Sequence, residues 1–398
     1  MPAAPASERS AGSGTSRLQF SAWAGMFVFG IVMAILGAVL PSLFERIGFG
    51  AGAAGNLFLT MNFAMLVTTL AFGPLVDRFG FKAVLAVSAA LVAAAFFLLA
   101  RAGTYGLVLG AAVVLGLGGG ALNGGTNALT SDLHEGEDRS AALNILGIFF
   151  GFGALTVPFL IGTLRAALGV GRILTVATAL GLVPFVIYAV LPFPTAKHPQ
   201  GLPIKEAARV VGQPLLWLCA FLLFFQSGNE FTAGGWLSSH LQTTYHIAPP
   251  AAALALAGYW AAVMAGRLLS ARLGKRVSGG SLALAGGIVA LAAAAVLAFA
   301  PSGPLAMAGA VALGLGFATI YPTVLAVVGE SFPEFTGTAF GVVIAVGLAG
   351  GMIAPWLVGR IAQASSLRQG FLVPVANCVL VLVLLVIIRR RRQLKICG

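Results

Sequence analysis

The chain of 398 residues is 59% hydrophobic and only 9% charged, with a mean hydropathy of +1.00. A soluble domain cannot bury that much apolar surface, and the absence of period-two alternation argues against a transmembrane β-barrel. The net charge of +12 does not point to nucleic acid, because the basic residues are sorted into alternate loops instead of forming one patch.

In chain order, the opening MPAAPASERSAGSGTS is polar and rich in Ala, Ser and Gly. It reads as a disordered cytoplasmic N-terminus, 1–17, without the basic region and short apolar core of a cleaved signal peptide. From there on, apolar runs long enough for a helix to cross hydrocarbon recur to the end. They predict an all-α polytopic fold of twelve transmembrane spans: 18–42, 52–76, 82–101, 105–131, 140–164, 172–193, 214–241, 248–272, 278–300, 303–329, 336–360 and 367–389. The polar stretch PFPTAKHPQGLPIKEAARVVGQP divides them. This gives an N-terminal six-helix bundle at 18–193, a cytoplasmic linker at 194–213, a C-terminal six-helix bundle at 214–389 and a basic tail at 390–398.

Of the 23 Lys and Arg residues, only Arg46, Arg101, Arg165, Arg172, Arg360 and Arg368 fall in the outer loops; the others, Arg267 included, are assigned to inner loops and tails. That bias predicts a cell-membrane protein with both termini in the cytoplasm. The terminal RRRRQLK is expected to grip anionic lipid headgroups. Cys219, Cys378 and Cys397 have neither disulfide nor metal spacing, and no metal or cofactor is expected. His134, His198, His240 and His246 are scattered near loops and are expected to be solvated surface side chains.

The two halves repeat. GLGGGALNGGTNALTSDLHEGEDRSA from Gly116 corresponds to GLGFATIYPTVLAVVGESFPEFTGTA from Gly314, so that Gly118 pairs with Gly316 and Asp132 with Glu330. Gly153, Pro158 and Gly162 correspond to Gly350, Pro355 and Gly359, and Arg78 with Gly80 to Arg272 with Gly274. Parallel halves of this kind are the plan of a transporter with its site at the midplane between them. The loop GPLVDRFGFK closely resembles the pattern G-x-L-x-D-R-x-G-x-K between the second and third spans of the major facilitator superfamily, matching at Gly73, Leu75, Asp77, Arg78, Gly80 and Lys82. The resemblance implies a latch that shuts the cytoplasmic side, to which the acids Asp132 and Glu330 and the basic Arg139 at the inner ends of spans are added. Arg78 and Lys82 alternatively serve only to set topology. In the second copy Ala271 replaces Asp77 and Arg267 replaces Gly73.

The candidate site centres on the seventh span, where FFQSGNEFTAGGWLSSHL places Gln226, Asn229 and Glu230 on one helical face. A central acid costs about 2.5–3.5 kcal/mol on insertion scales, so it is expected to face a cavity. The surrounding Gly228, Gly234 and Gly235 permit a bend or unwinding. A purely structural bond from Glu230 to a neighbouring helix is the alternative. Asn123, Asn127 and Asn144 offer further hydrogen-bonding groups, unless they only tie helix to helix. Tyr259, Trp260, Tyr321 and Trp23 offer stacking faces or ordinary packing; Trp236 also fits an interfacial belt.

Amides, one acid and aromatic planes suit a neutral polyhydroxyl ligand, and with no Arg or Lys read at a span centre an anionic one is disfavoured. A narrower resemblance agrees. N-x3-N-x4-D at Asn123, Asn127 and Asp132, the pair Leu143–Asn144, and G-x-E followed by Trp at Gly228, Glu230 and Trp236 look like the sugar-permease branch holding fucose permeases and sodium-dependent glucose transporters. That implies monosaccharide movement, glucose-like hexoses favoured, with possible proton or sodium coupling at Glu230. The acid that fucose permeases carry in the first span is missing here. A proton-driven exporter of drugs or organic cations is the alternative, although GFGALTVPFLIG puts Val157 where the exporter motif has glycine before proline. A substrate-gated sensor is a third reading. No nucleophile and base stand at useful spacing for an enzyme, and a monomer is expected.

Overall fold

The computed structural model describes residues 6–134, 136–193, 211–273, 276–332 and 336–396, with the backbone alone described at 6–15, 74, 77, 136–141, 144, 336–338 and 392–396. Among the described residues the chain is helical with no strand. The elements are α1 (Ala6–Ile47), α2 (Ala51–Arg101), α3 (Tyr105–Leu133), α4 (Gly136–Val190), α5 (Pro214–Tyr245), α6 (Pro249–Leu273), α7 (Gly279–Phe299), α8 (Gly303–Phe317), α9 (Ile320–Ser331), α10 (Thr336–Ala364), α11 (Leu367–Gly370) and α12 (Leu372–Ile396). Most of the linker expected at 194–213 lies outside the described residues.

Ten of the described helical stretches are long and apolar enough to cross a membrane. They treat α4 as one stretch from Ile145 and leave out α5, whose hydropathy is lowered around Gln226–Glu230. Dividing α4 and adding α5 is consistent with twelve spans. The division points are single residues: Gly80 in α2 (φ 75°, ψ 162°) and Gly169 in α4 (φ 71°, ψ 158°) occupy backbone regions that glycine alone adopts readily. Gly80 is thus required in the GPLVDRFGFK loop by the turn itself. Either side of it α2 runs in opposite directions along α3: Met61, Met65 and Phe72 meet Gly116, Gly120 and Gly124 in turn, whereas Val92 and Leu85 meet Gly118 and Gly125.

The internal repeat is visible as repeated contacts. Gly116 lies on the backbone of Met61 as Gly314 lies on that of Tyr259; Gly118 touches Ser88 and Val92 as Gly316 touches Ala290. Gly153 abuts Phe27 and Gly30 of α1, and its counterpart Gly350 abuts Phe224 of α5. Two pseudo-symmetric helical halves are therefore built by the same small-residue contacts. Large apolar side chains such as Leu70, Val186 and Phe299 are exposed on the outside, as a lipid-facing surface requires.

The halves meet towards the face opposite the termini. There Gly37 of α1 lies on Gly234 and Gly235 of α5, Gly55 of α2 on Trp356 and Gly359 of α10, and Gly162 of α4 on Leu254 and Pro250 of α6. Trp356 Nε1 donates to Asn56 Oδ1 across the same seam (3.2 Å). At Gly73 and Gly341, nearer the terminal face on α2 and α10, nothing lies within 4 Å of where a Cβ would stand. The glycine contacts between the halves thus gather towards the face opposite the termini, while Arg267 of α6 also lies beside Gly147 of α4.

Two expectations are corrected here. The seventh span does not unwind: α5 is continuous, and its glycines serve close approach, Gly228 against Ala354 and Gly350, Gly234 and Gly235 against the other half. Between α8 and α9 the hydrogen-bond ladder alone is interrupted, with Ala318 and Thr319 keeping right-handed helical dihedrals, because Pro322 has no N–H for the Ala318 carbonyl four residues back. His240 is not solvated. Its ring is fully buried, stacked on Phe371 at 3.8 Å, with Nε2 on the Leu297 carbonyl (2.8 Å) and Nδ1 on Thr244 Oγ1 (3.0 Å). His246 is exposed as expected and His134 partly so; His198 lies outside the described residues.

Candidate functional site

α5 carries the polar centre of the molecule past the seam between the halves. Gln226 is fully buried and donates from Nε2 to Glu230 Oε1 at 2.9 Å, one helical turn on. Glu230 as a whole is partly buried. From the neighbouring elements, Arg267 and Tyr259 of α6 and Tyr321 of α9 stand within electrostatic range of it. Arg267 makes no ion pair within 4 Å among the described residues, unlike Arg165, which pairs with Glu45 near the opposite face at 3.0 Å.

Several buried polar atoms around this centre have no hydrogen-bond partner among the described residues: Gln226 Oε1, the Tyr259 hydroxyl, Trp260 Nε1 and Arg267 Nε. The set mixes one acceptor, one hydroxyl that both donates and accepts, and two N–H donors. A buried polar group left unpaired costs on the order of 1–3 kcal/mol, so such a set is poorly explained as packing alone. Trp260 also bridges the halves, edge-on to Phe150 of α4 at 5.8 Å, with Gly234 against its indole.

The other sequence-derived candidates are distributed around this centre. Asn229, one residue from Glu230, turns the other way: it is buried and donates to Cys378 Sγ of α12 at 3.4 Å. Asn123 and Asn127 lie partly exposed on α3 and are joined to each other, Asn127 Nδ2 reaching Asn123 Oδ1 at 3.0 Å. The Asn144 side chain lies outside the described residues. Trp23 stacks on Phe149 at 5.0 Å, and its buried Nε1 has no hydrogen-bond partner among the described residues. Trp236 is fully buried and bonds Pro355 O (2.9 Å) beside Phe58, in the closed seam instead of at an interfacial belt.

Of the expected latch, Arg78 and Lys82 are exposed, with the Arg78 guanidinium 5.2 Å from the Phe79 ring centre. Asp132 and Glu330 lie at the terminal-face ends of α3 and α9, both exposed. The Asp77 and Arg139 side chains lie outside the described residues.

Arg267 is the residue that sequence reading passed over. It stands seven positions after Trp260, hence on the same face, and its guanidinium runs beside Gly147 of α4. Asn377, against Gly228, is a second such residue: an amide within the apolar run of the twelfth span.

Comparison with known proteins agrees with this architecture. The family model described as Major Facilitator Superfamily matches residues 22–228 and again 216–396. A protein of Brucella abortus named as a glucose/galactose transporter is 26% identical over 332 residues, covering 78% of this chain and 79% of its own. An uncharacterised transporter of Yersinia pestis is 24% identical over 374 residues, covering 92% and 94%. Among solved structures, a D-xylose-proton symporter superposes with a TM-score of 0.79 at 13% identity, over 94% of this chain and 97% of that one. A point mutant of the nucleoside transporter NupG gives 0.76 at 14% identity, over 94% and 99%. Matched along nearly its whole length and built from two like halves, the chain belongs to the major facilitator superfamily and is a multi-pass membrane transporter, not an enzyme.

Proposed function

We propose that this transporter moves a monosaccharide, with a glucose-like hexose favoured, across the cell membrane by alternating access. The sugar binds between the halves at Gln226, Glu230, Tyr259, Trp260 and Tyr321, with Asn123, Asn127 and Asn144 from the first half, while Asn229 holds α5 to α12 behind the site. The observation that carries this reading is the set of orphaned donors and acceptors grouped around the Gln226–Glu230 pair. Sugar hydroxyls need partners of both kinds, and a ring's C–H face suits an indole or phenol plane. The Brucella abortus relative's printed name supports the same substrate class. Glu230 serves as the coupling group for a proton or a sodium ion.

With both termini in the cytoplasm, as the charge bias favours, the glycine seam is read as the outer closure of the carrier and the state as inward-facing. Gly73, Asp77, Arg78 and Lys82, with Asp132, Arg139 and Glu330, latch the cytoplasmic side in the opposite state. Arg267 favours one refinement: a basic group beside Glu230 removes the reason for disfavouring anionic sugars.

The test is uptake of labelled glucose, galactose, fucose and a hexuronate into proteoliposomes under imposed proton and sodium gradients. Accumulation above equilibrium that follows one gradient identifies the coupling ion, and simple equilibration a uniporter. Dye extrusion from cells without hexose or hexuronate uptake overturns the reading in favour of an exporter, and binding without flux favours a sensor.

A further inference from the structure

On its lipid-facing flank the second half carries a groove that transport does not use. The first turns of α5 and the last membrane turns of α12 diverge there, leaving a cleft of about 480 Å³. Trp217, Phe221 and Phe225 form one wall and Leu380 and Leu384 the other, with Arg391 at the mouth. The walls are apolar and open to the side, Phe221 being 47% and Leu380 41% exposed. From Pro214 to Phe225 the helix advances about 16 Å, close to the roughly 15 Å hydrocarbon depth of one leaflet. The Trp217 indole N–H donates to the Val211 carbonyl at 2.8 Å, which fixes the ring's polar edge at headgroup level.

Charge selects the occupant. Arg389, Arg390 and Arg391 are exposed, and the sequence contains no acid after Glu334, so α12 supplies no carboxylate to pair with them. A headgroup with a net negative charge complements the mouth, whereas a choline headgroup would bring its own cation against Arg391.

We propose that this groove is a binding site for an anionic glycerophospholipid of the terminal-face leaflet, one acyl chain lying against Trp217, Phe221 and Phe225 and the phosphate on Arg391. The groove ends at Phe225, next to Gln226, so the bound lipid braces the segment that leads into the transport site. The assignment does not depend on what is transported.

Native mass spectrometry of the full chain, taken from nanodiscs holding phosphatidylglycerol and phosphatidylcholine in equal amounts with matched chains, tests it. Wild type should retain a lipid with phosphatidylglycerol enriched about fivefold. Arg391→Gln should bring the ratio near unity, Arg390→Gln should leave it high, and Leu380→Trp, which fills the groove, should reduce retention of both lipids. Equal losses from Arg390→Gln and Arg391→Gln would mean a diffuse basic tail without a built site and would overturn the proposal. So would enrichment that survives Leu380→Trp. Should Leu380→Trp fail to fold, Val383→Phe fills the same cleft with a smaller change and is read in the same way.

Discussion

Glu230 and Arg267 are two opposite charges held within reach of each other but not in contact, and each constrains what the other can do. Glu230→Gln keeps an oxygen to accept from Gln226 while removing the charge. In proteoliposomes it should abolish accumulation above equilibrium and weaken sugar binding roughly ten- to a hundredfold, with expression and melting temperature unchanged. Wild-type flux in that variant counts against the site. Arg267→Gln leaves a carboxylate in a poorly solvated place without its nearest cation, so it should lower the melting temperature. The double variant with Glu230→Gln should recover most of the loss, giving a clear coupling energy in a double-mutant cycle. Additive effects would show that the two charges do not sense each other. Glu230 was legible in the sequence because an acid among Leu and Phe has few explanations. Arg267 was not, because it lies six residues from the end of α6, where a long basic side chain normally snorkels to the headgroups. Asn229 shows a finer limit: neighbours on a helix diverge by about 100°, so it faces α12 while Glu230 faces Tyr259 and Tyr321.

At the scale of elements, the helices were readable and their interruptions were not. Hydrophobic runs marked the spans, and the DRFG loop marked one reversal correctly, since Gly80 adopts a positive φ. The glycines of α5 suggested unwinding, but a missing Cβ equally permits a neighbouring backbone to approach, and tertiary contact decided for packing. The break lies instead at Ala318–Thr319, where Thr319 Oγ1 reaches the Leu282 carbonyl of α7 at 3.3 Å. Pro322→Ala restores the absent N–H. It should fuse α8 and α9, raise the melting temperature by a few degrees, and slow transport by turning Tyr321 away from Glu230. A variant that is stabilised yet transports at the wild-type rate would show that the break has no part in the cycle. His240 misled for a related reason: its position near a helix end suggested water, yet Phe371 covers it.

For the molecule as a whole, the duplication visible in the sequence reappears as duplicated contacts, whereas the direction in which the halves are closed is not a property of either half. It depends on a balance between two seams. Gly37→Val places a branched side chain against the Gly234 carbonyl and should hold the closed face apart. Met33→Cys, beside Gly234, would then be labelled by a membrane-impermeant maleimide added outside, but stay protected in the Gly37 background. Equal labelling in both backgrounds would contradict an outer seam at this point. At Gly37 and Gly55 the seam is main chain resting on main chain, flanked by the Phe58–Trp236 ring contact and the Trp356–Asn56 hydrogen bond. Interlocked side chains must change rotamers before two surfaces separate, and each such rearrangement adds to the barrier. The glycine stretches have nothing to unthread, so few side chains, Phe58 and Trp236 among them, need shift as the two bundles part and rejoin.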